Sequence, residues 1–229
     1  ILLVKDEYIE KIADTLARRK IVNGHAIGRL GQELNVYASA GISDDHECVT
    51  EEELLQRLRV GMSVLVREGS TERNLAAIIG GVLREKLPLM LCTDDKHAGE
   101  IQREGHINYN VARAMELGVG EIDAVKLATL NAARHFRLED EIGSITPGRL
   151  ADILLVEDLR EMKPSQVYFE GRLVAKDCKL IQTCEVGEYP EWLKNTVKLK
   201  QLITEKSFRV PARTDRPQTQ VTVIDLIDR

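Results

Sequence analysis

Residues 62–70, Met62-Ser63-Val64-Leu65-Val66-Arg67-Glu68-Gly69-Ser70, read as a short buried strand that ends in charge. An apolar run gives way at once to an Arg-Glu pair and a Gly-Ser turn. A parallel strand covered on both faces, with polar groups at its carboxyl end, has this pattern. The same unit recurs on either side. Asn74 to Lys86 is a helix, and Pro88-Leu89-Met90-Leu91-Cys92-Thr93 is the next strand, ending at Asp94-Asp95. Upstream, Ile9, Ile12, Ala13 and Leu16 give Lys5 to Arg19 a helical spacing. Lys20 to His25 reads as a strand running into a loop, and Gly31 to Ala40 as a short helix. Gly41-Ile42-Ser43 opens a further strand with Asp44, Asp45 and His46 at its end. Thr50 and Glu53 form a capping box ahead of an apolar stripe of Leu54, Leu55 and Leu58. Strands alternating with helices in this way are βα units. His25, His46, Arg67-Glu68 and Asp94-Asp95 all fall just past a strand end, the face at which parallel α/β barrels build their sites.

The chain has 229 residues, 43% hydrophobic and 30% charged, enough for one large domain or one domain and a smaller one. A net charge of -5 and 4% aromatics argue against a nucleic-acid binder. The four cysteines (Cys48, Cys92, Cys178, Cys184) have no CxxC spacing, which points to a reducing, cytoplasmic setting. No apolar run approaches membrane-spanning length, so no membrane partner is expected. Beyond the βα units, Gly99 to Arg137 reads as helices, with Asp123 to Arg137 carrying an apolar face. A turn cluster at Gly143 to Gly148 introduces strands at Asp152–Val156, Gln166–Phe169 and Arg172–Ala175, with Glu170-Gly171 as a hairpin turn. After Glu185 the chain is polar and linker-like, and Val221 to Ile227 resembles a last strand.

Two histidines and an aspartate at successive strand ends suit a borderline divalent ion such as Zn, Mn or Fe. Such an ion lowers the pKa of water toward neutrality and makes hydroxide available as a nucleophile. Several short segments carry a more specific resemblance. Asn23-Gly24-His25-Ala26, Gly41-Ile42-Ser43-Asp44-Asp45-His46-Glu47-Cys48, Arg67-Glu68-Gly69-Ser70 and Cys92-Thr93-Asp94-Asp95 come first. Glu104-Gly105-His106-Ile107, Ala128-Thr129-Leu130-Asn131-Ala132-Ala133 and Gly143 to Asp152 follow in order. Together they resemble the adenine deaminase family of the amidohydrolase superfamily over the first two hundred or so residues.

The resemblance implies an α/β fold: the second half of a metal-dependent (β/α)8 amidohydrolase barrel (residues 1–142), then a small β-sandwich segment (143–184), then a linker and the start of a C-terminal domain (185–229). It implies hydrolytic deamination of adenine to hypoxanthine and ammonia by metal-activated hydroxide, a purine-salvage reaction. His25, His46 and Asp94 would be metal ligands of a binuclear site, with Mn or Fe the expected pair and Zn the alternative. Asp94, His46 and Glu47 would be catalytic, and Arg67, Glu68, Ser70 and Asp95 would contact the purine base. Asp94 is preferred to Asp95 because the superfamily's aspartate directly follows a Ser or Thr. A homo-oligomer is expected. Ile27 and Ala98 stand where the family usually has proline. The family's first-strand His-x-His pair and strand-four glutamate are expected before Ile1, in a longer protein.

The residues themselves leave other readings open. Glu47 could form a salt bridge, Arg67-Glu68 a surface ion pair, Ser70 a cap of the following helix and Asp95 a helix cap. His97 and His106 read as structural or loop histidines, His135 as exposed, and Cys48 and Cys92 as buried and unactivated. The alternatives to adenine deamination are another amidohydrolase acting on a cyclic amide or N-acyl substrate, or a non-catalytic fragment serving as an interaction partner.

Overall fold

The fold is described from a computed structural model, for residues 5–84, 89–181, 187–194 and 196–209. The chain divides into two units at residues 182/183. The first opens with α1 (Asp6–Ala17) and α2 (Gly31–Ser39), followed by β1 (Asp44–Asp45), α3 (Glu51–Arg59), β2 (Ser63–Arg67), α4 (Leu75–Arg84) and β3 (Leu89–Cys92). The three strands form one parallel sheet in the order β1-β2-β3, with Asp44 beside Ser63 and Arg67 beside Cys92. The capping box at α3 forms as expected: the Thr50 hydroxyl accepts the Glu53 N–H, and Glu53 reaches back to the Thr50 N–H.

Burial explains why the strands read as apolar runs. Val64, Val66 and Leu89 are fully enclosed against Leu54 of α3, Leu75 and Ile78 of α4, and the following helices. Those helices are α5 (Ala98–Glu104), α6 (Ile107–Glu116), α7 (Glu121–Ala128) and α8 (Leu130–His135). The helix expected from Asp123 to Arg137 is broken at Thr129, whose φ of -129° and ψ of -90° leave the helical region. Its hydroxyl donates to the Val125 carbonyl, a local bond that competes with helix continuation.

An antiparallel sheet follows in the order β4 (Ile153–Val156), β5 (Pro164–Phe169), β6 (Arg172–Lys176) and β7 (Lys179–Leu180). Glu170-Gly171 turns β5 into β6 with both residues at positive φ, the conformation of a two-residue hairpin turn. The loop before β5 ties the sheet to the helices. Met162 is buried in the main core, its carbonyl accepts from Asn108, and Arg160 pairs with Glu121. The second unit, in its described residues, contains short 3-10 turns at Glu191–Leu193 and Glu205–Phe208. The strand expected at Val221 to Ile227, and Cys184, lie outside the described residues. Among the described residues, no helix is long and apolar enough to cross a membrane.

One expected strand is absent. Lys20 to His25 has no ladder. The Ser43 N–H donates to the Val22 carbonyl, but from there the Asp44 side chain replaces the main chain. Its Oδ1 accepts the Gly24 N–H at 3.0 Å and its Oδ2 the Asn23 amide at 2.8 Å. The two backbones touch at Gly24, where a Cβ would lie 2.0 Å from the Asp44 carbonyl oxygen. Gly24→Ala is therefore expected to cost about 1–3 kcal/mol through overpacking. Gly99→Ala, whose new methyl meets nothing within 4 Å, should be neutral or gain at most about 1 kcal/mol. Urea unfolding of the two variants in the intact protein tests the contrast.

Candidate functional site

Three of the expected site residues converge. The His25 Nδ1 lies 2.9 Å from Glu47 Oε1, the His46 Nε2 lies 3.3 Å from the same oxygen, and the two ring nitrogens are 3.4 Å apart. Donors arranged tetrahedrally about one ion at ~2.1 Å stand roughly 3.4 Å from each other. Two imidazoles and a carboxylate in this triangle fit a divalent ion by spacing and by donor type. Glu47 is buried, whereas His25 is exposed and His46 half-exposed, so the group opens to solvent on the histidine side.

Backbone contacts hold these side chains. The His25 N–H donates to the Tyr37 hydroxyl at 2.8 Å, and the Ala26 N–H to Asp45 Oδ1 at 2.8 Å. His46 and Glu47 follow β1 directly. The second Glu47 oxygen pairs with Arg67 Nη1 at 2.8 Å, and the same nitrogen lies 3.3 Å from Asp94 Oδ2. Arg67 also meets Glu72, and its Nε donates to Asn74 Oδ1 at 2.7 Å. Asp94 is thus joined to the triangle through Arg67 and is not one of its three donors. The third donor of the triangle belongs to Glu47. Asp94 has a φ of 46°, a left-handed conformation that non-glycine residues rarely adopt and that clusters at functional sites.

The remaining candidates are placed differently from the surface readings. Arg67 and Glu68 are both buried and do not pair with each other. Glu68 instead accepts the Leu75 N–H at the start of α4. Ser70 does not cap α4. Its hydroxyl accepts the His97 N–H ahead of α5 and donates to Glu100. Asp95 caps no helix. It accepts the N–H groups of Ser70 and Thr71 and the Thr71 hydroxyl, and it packs so tightly on Gly69 that a Cβ there would lie 1.9 Å from its Oδ1. His135 is not exposed: its side chain retains 8% of its surface, and Nε2 lies 2.5 Å from Asp44 Oδ2. Cys48 and Cys92 are unactivated as expected, both thiols pushed up to about 12 by burial.

The profile of the amidohydrolase family matches residues 3–174. The chain belongs to the amidohydrolase family. It is 49% identical over 229 residues to an adenine deaminase of Desulforamulus reducens, covering 99% of this chain and 39% of that protein. It is 39% identical over 222 residues to an adenine deaminase of Mesorhizobium japonicum, covering 95% of this chain and 37% of the relative. The chain thus spans somewhat over a third of the length of these curated relatives. Among solved structures, a crystal structure of an amidohydrolase superposes with a TM-score of 0.58 at 18% identity, over 76% of this chain and 49% of that one. That likeness supports the amidohydrolase fold.

Sequence reading of this amidohydrolase missed Tyr37, Asn74, Arg57 and the contact between Asp44 and His135. Arg57 had a signal. It lies three residues after Leu54, on the helix face that α3 turns inward, and a charge there demands a buried partner.

Two carboxylates carry opposite pH signatures. Burial raises the pKa of Glu68, so its ionised form weakens the fold above the ordinary glutamate value of about 4.3. For Asp95, burial alone would raise the pKa. The bonds from the Thr71 hydroxyl and the Thr71 and Ser70 N–H groups outweigh it and lower the value. Its stabilisation is present above the ordinary aspartate value of about 3.9 and is lost as pH falls through the folded value. Glu68→Gln should match or exceed wild-type stability at neutral pH, an advantage that disappears in acid. Asp95→Asn should lose about 1–3 kcal/mol at neutral pH, a deficit that narrows in acid. Urea midpoints followed from about pH 7 to about pH 3 check both signs.

Proposed function

We propose that the intact protein hydrolyses adenine to hypoxanthine and ammonia. The observation that carries the reading is the convergence of His25, His46 and Glu47 in a chain whose relatives, at 34–49% identity, are named adenine deaminases. The proposed frame is the second half of a (β/α)8 barrel over residues 1–142, with a β-sandwich segment over 143–184 and a further domain beginning in 185–229. His25 and His46 would hold a divalent metal together with Glu47, and Asp94 would join the ligand set of a binuclear site with Mn or Fe, or alternatively Zn. The ion would supply Lewis acidity, which lowers the pKa of water toward neutrality.

The chain's own groups handle the protons. A water oxygen bonds to C6 of the base, the exocyclic C–N bond breaks, one water proton ends on the departing nitrogen to give ammonia and the other ends on N1 of hypoxanthine. Glu47 turns Oε1 toward both imidazoles, where it would hold the ion, while Arg67 engages Oε2 and fixes the carboxylate. Asp94, held by the same Arg67 nitrogen, is the proposed carrier of a proton to the leaving amine. Glu68, Ser70 and Asp95 contribute to the base-binding side mainly by holding the 68–71 turn in place, since each already has a structural partner. The protein would be a cytoplasmic homo-oligomer acting on a small purine base.

In the intact protein loaded with Mn or Fe, Asp94→Asn should reduce hypoxanthine formation from adenine by ~10²–10⁴ while the fold persists. His25→Ala and His46→Ala should each lower metal content by elemental analysis. Adenosine and cytosine serve as control substrates. If the loaded wild type leaves adenine untouched but opens a cyclic amide, the substrate assignment passes to another amidohydrolase class. Unchanged metal content in both histidine variants would remove them from the ligand set.

A further inference from the structure

The segments bearing His25 and His46 are joined by one buried ion pair. Asp45, immediately before His46, accepts the Ala26 N–H on Oδ1 at 2.8 Å and Arg57 Nε on Oδ2 at 3.0 Å. Arg57 donates from Nη2 to the Ala26 carbonyl at 2.6 Å and from Nη1 to the Arg29 carbonyl at 2.8 Å. Both side chains are completely buried, at 0% exposure. The peptide groups on both sides of Ala26 are therefore bound to a single charged pair, one residue after His25 and one residue before His46.

Stability alone is a poor reason for such a pair. Removing two charges from water is expensive, and an apolar pair of similar volume often does as well. What an apolar pair cannot do is bind the N–H and the carbonyl of the same residue and so fix the direction in which the preceding side chain leaves the backbone. We propose that Asp45 and Arg57 are positioning residues that set the His25–His46 separation for metal binding. The proposal rests on the reading of these histidines as ligands.

The test uses the intact protein, stripped and titrated with cobalt(II), whose visible spectrum reports ligand geometry. Arg57→Lys keeps the charge but loses the fork that reaches two carbonyls. Asp45→Leu/Arg57→Met removes both charges together and leaves neither unpaired. Each is expected to bind cobalt ~10–100-fold more weakly, with an altered spectrum, when titrated well below its own thermal midpoint, which falls because the Ala26 N–H and carbonyl lose partners. The positive control is His25→Ala. If it too binds cobalt normally, the ligand reading fails. If it loses cobalt while the folded clamp variants bind it as wild type does, the clamp is refuted and the ligands stand. The wild type supplies a reading that needs no variant: by hydrogen exchange, the Ala26 amide should be protected like the amides of β2. Fast exchange there overturns the proposal even if both variants fail to fold.

Discussion

Two adjacent carboxylates, Asp44 and Asp45, replace the main-chain ladder where the sheet would otherwise continue. Neighbouring residues of a strand point to opposite faces, and these two use both. Asp44 takes the Gly24 N–H and the Asn23 amide on one side and meets His135 there. Asp45 takes the Ala26 N–H and Arg57 on the other. A two-residue strand has little ladder of its own to offer, so the segment carrying His25 is placed by charge-assisted bonds. These are shorter and stronger than neutral ones, and each loses more if its partner goes.

A second set of charges begins where the first ends. Glu47 faces the imidazoles with one oxygen and Arg67 with the other, and Arg67 carries on to Asp94 and Glu72. Arg67 is itself buried and is steadied by Asn74. Three carboxylates around one guanidinium leave an excess of negative charge beside the two imidazoles. A divalent cation at the triangle would offset that excess, which is an electrostatic reason for a metal independent of the donor spacing. The same arrangement accounts for the position of Asp94, because the arginine is the positive charge it meets.

The βα units were legible because burial on both faces makes parallel strands apolar along their length. Val64, Val66 and Leu89 show this in the sequence, and so do the Thr50–Glu53 box and the Glu170-Gly171 turn, which are local codes. The strand expected at Lys20 to His25 was not legible as what it is, because side-chain acceptors 20 residues away replace its ladder. His135 offered no local cue at all. Its partner is 91 residues distant, and the exposure of Arg134 and Arg137 says nothing about the helix face between them. From the sequence, Glu47 reads as a catalytic residue beside His46 or as a salt-bridge partner. Its approach to His25 depends on a fold of two loops that spacing does not encode.

Two of the unread contacts, those of Tyr37 and Arg57, hold the backbone near a candidate ligand. Around His25 the chain is built of small residues, Gly24 and Ala26, which lets the loop lie close against β1 but gives it no large apolar side chain as an anchor. Polar anchors then take over: Tyr37 at His25 itself, Asp45 and Arg57 at Ala26. Arg57 belongs to α3, whose first turn is capped and whose Leu54 is fully enclosed in the main core. A continuous path of contacts therefore runs from that core through a helix and one guanidinium to the loop of His25. The constraint on His25 lies in the backbone behind it and not in packing around its ring, which is the arrangement a proposed ligand on an open loop needs.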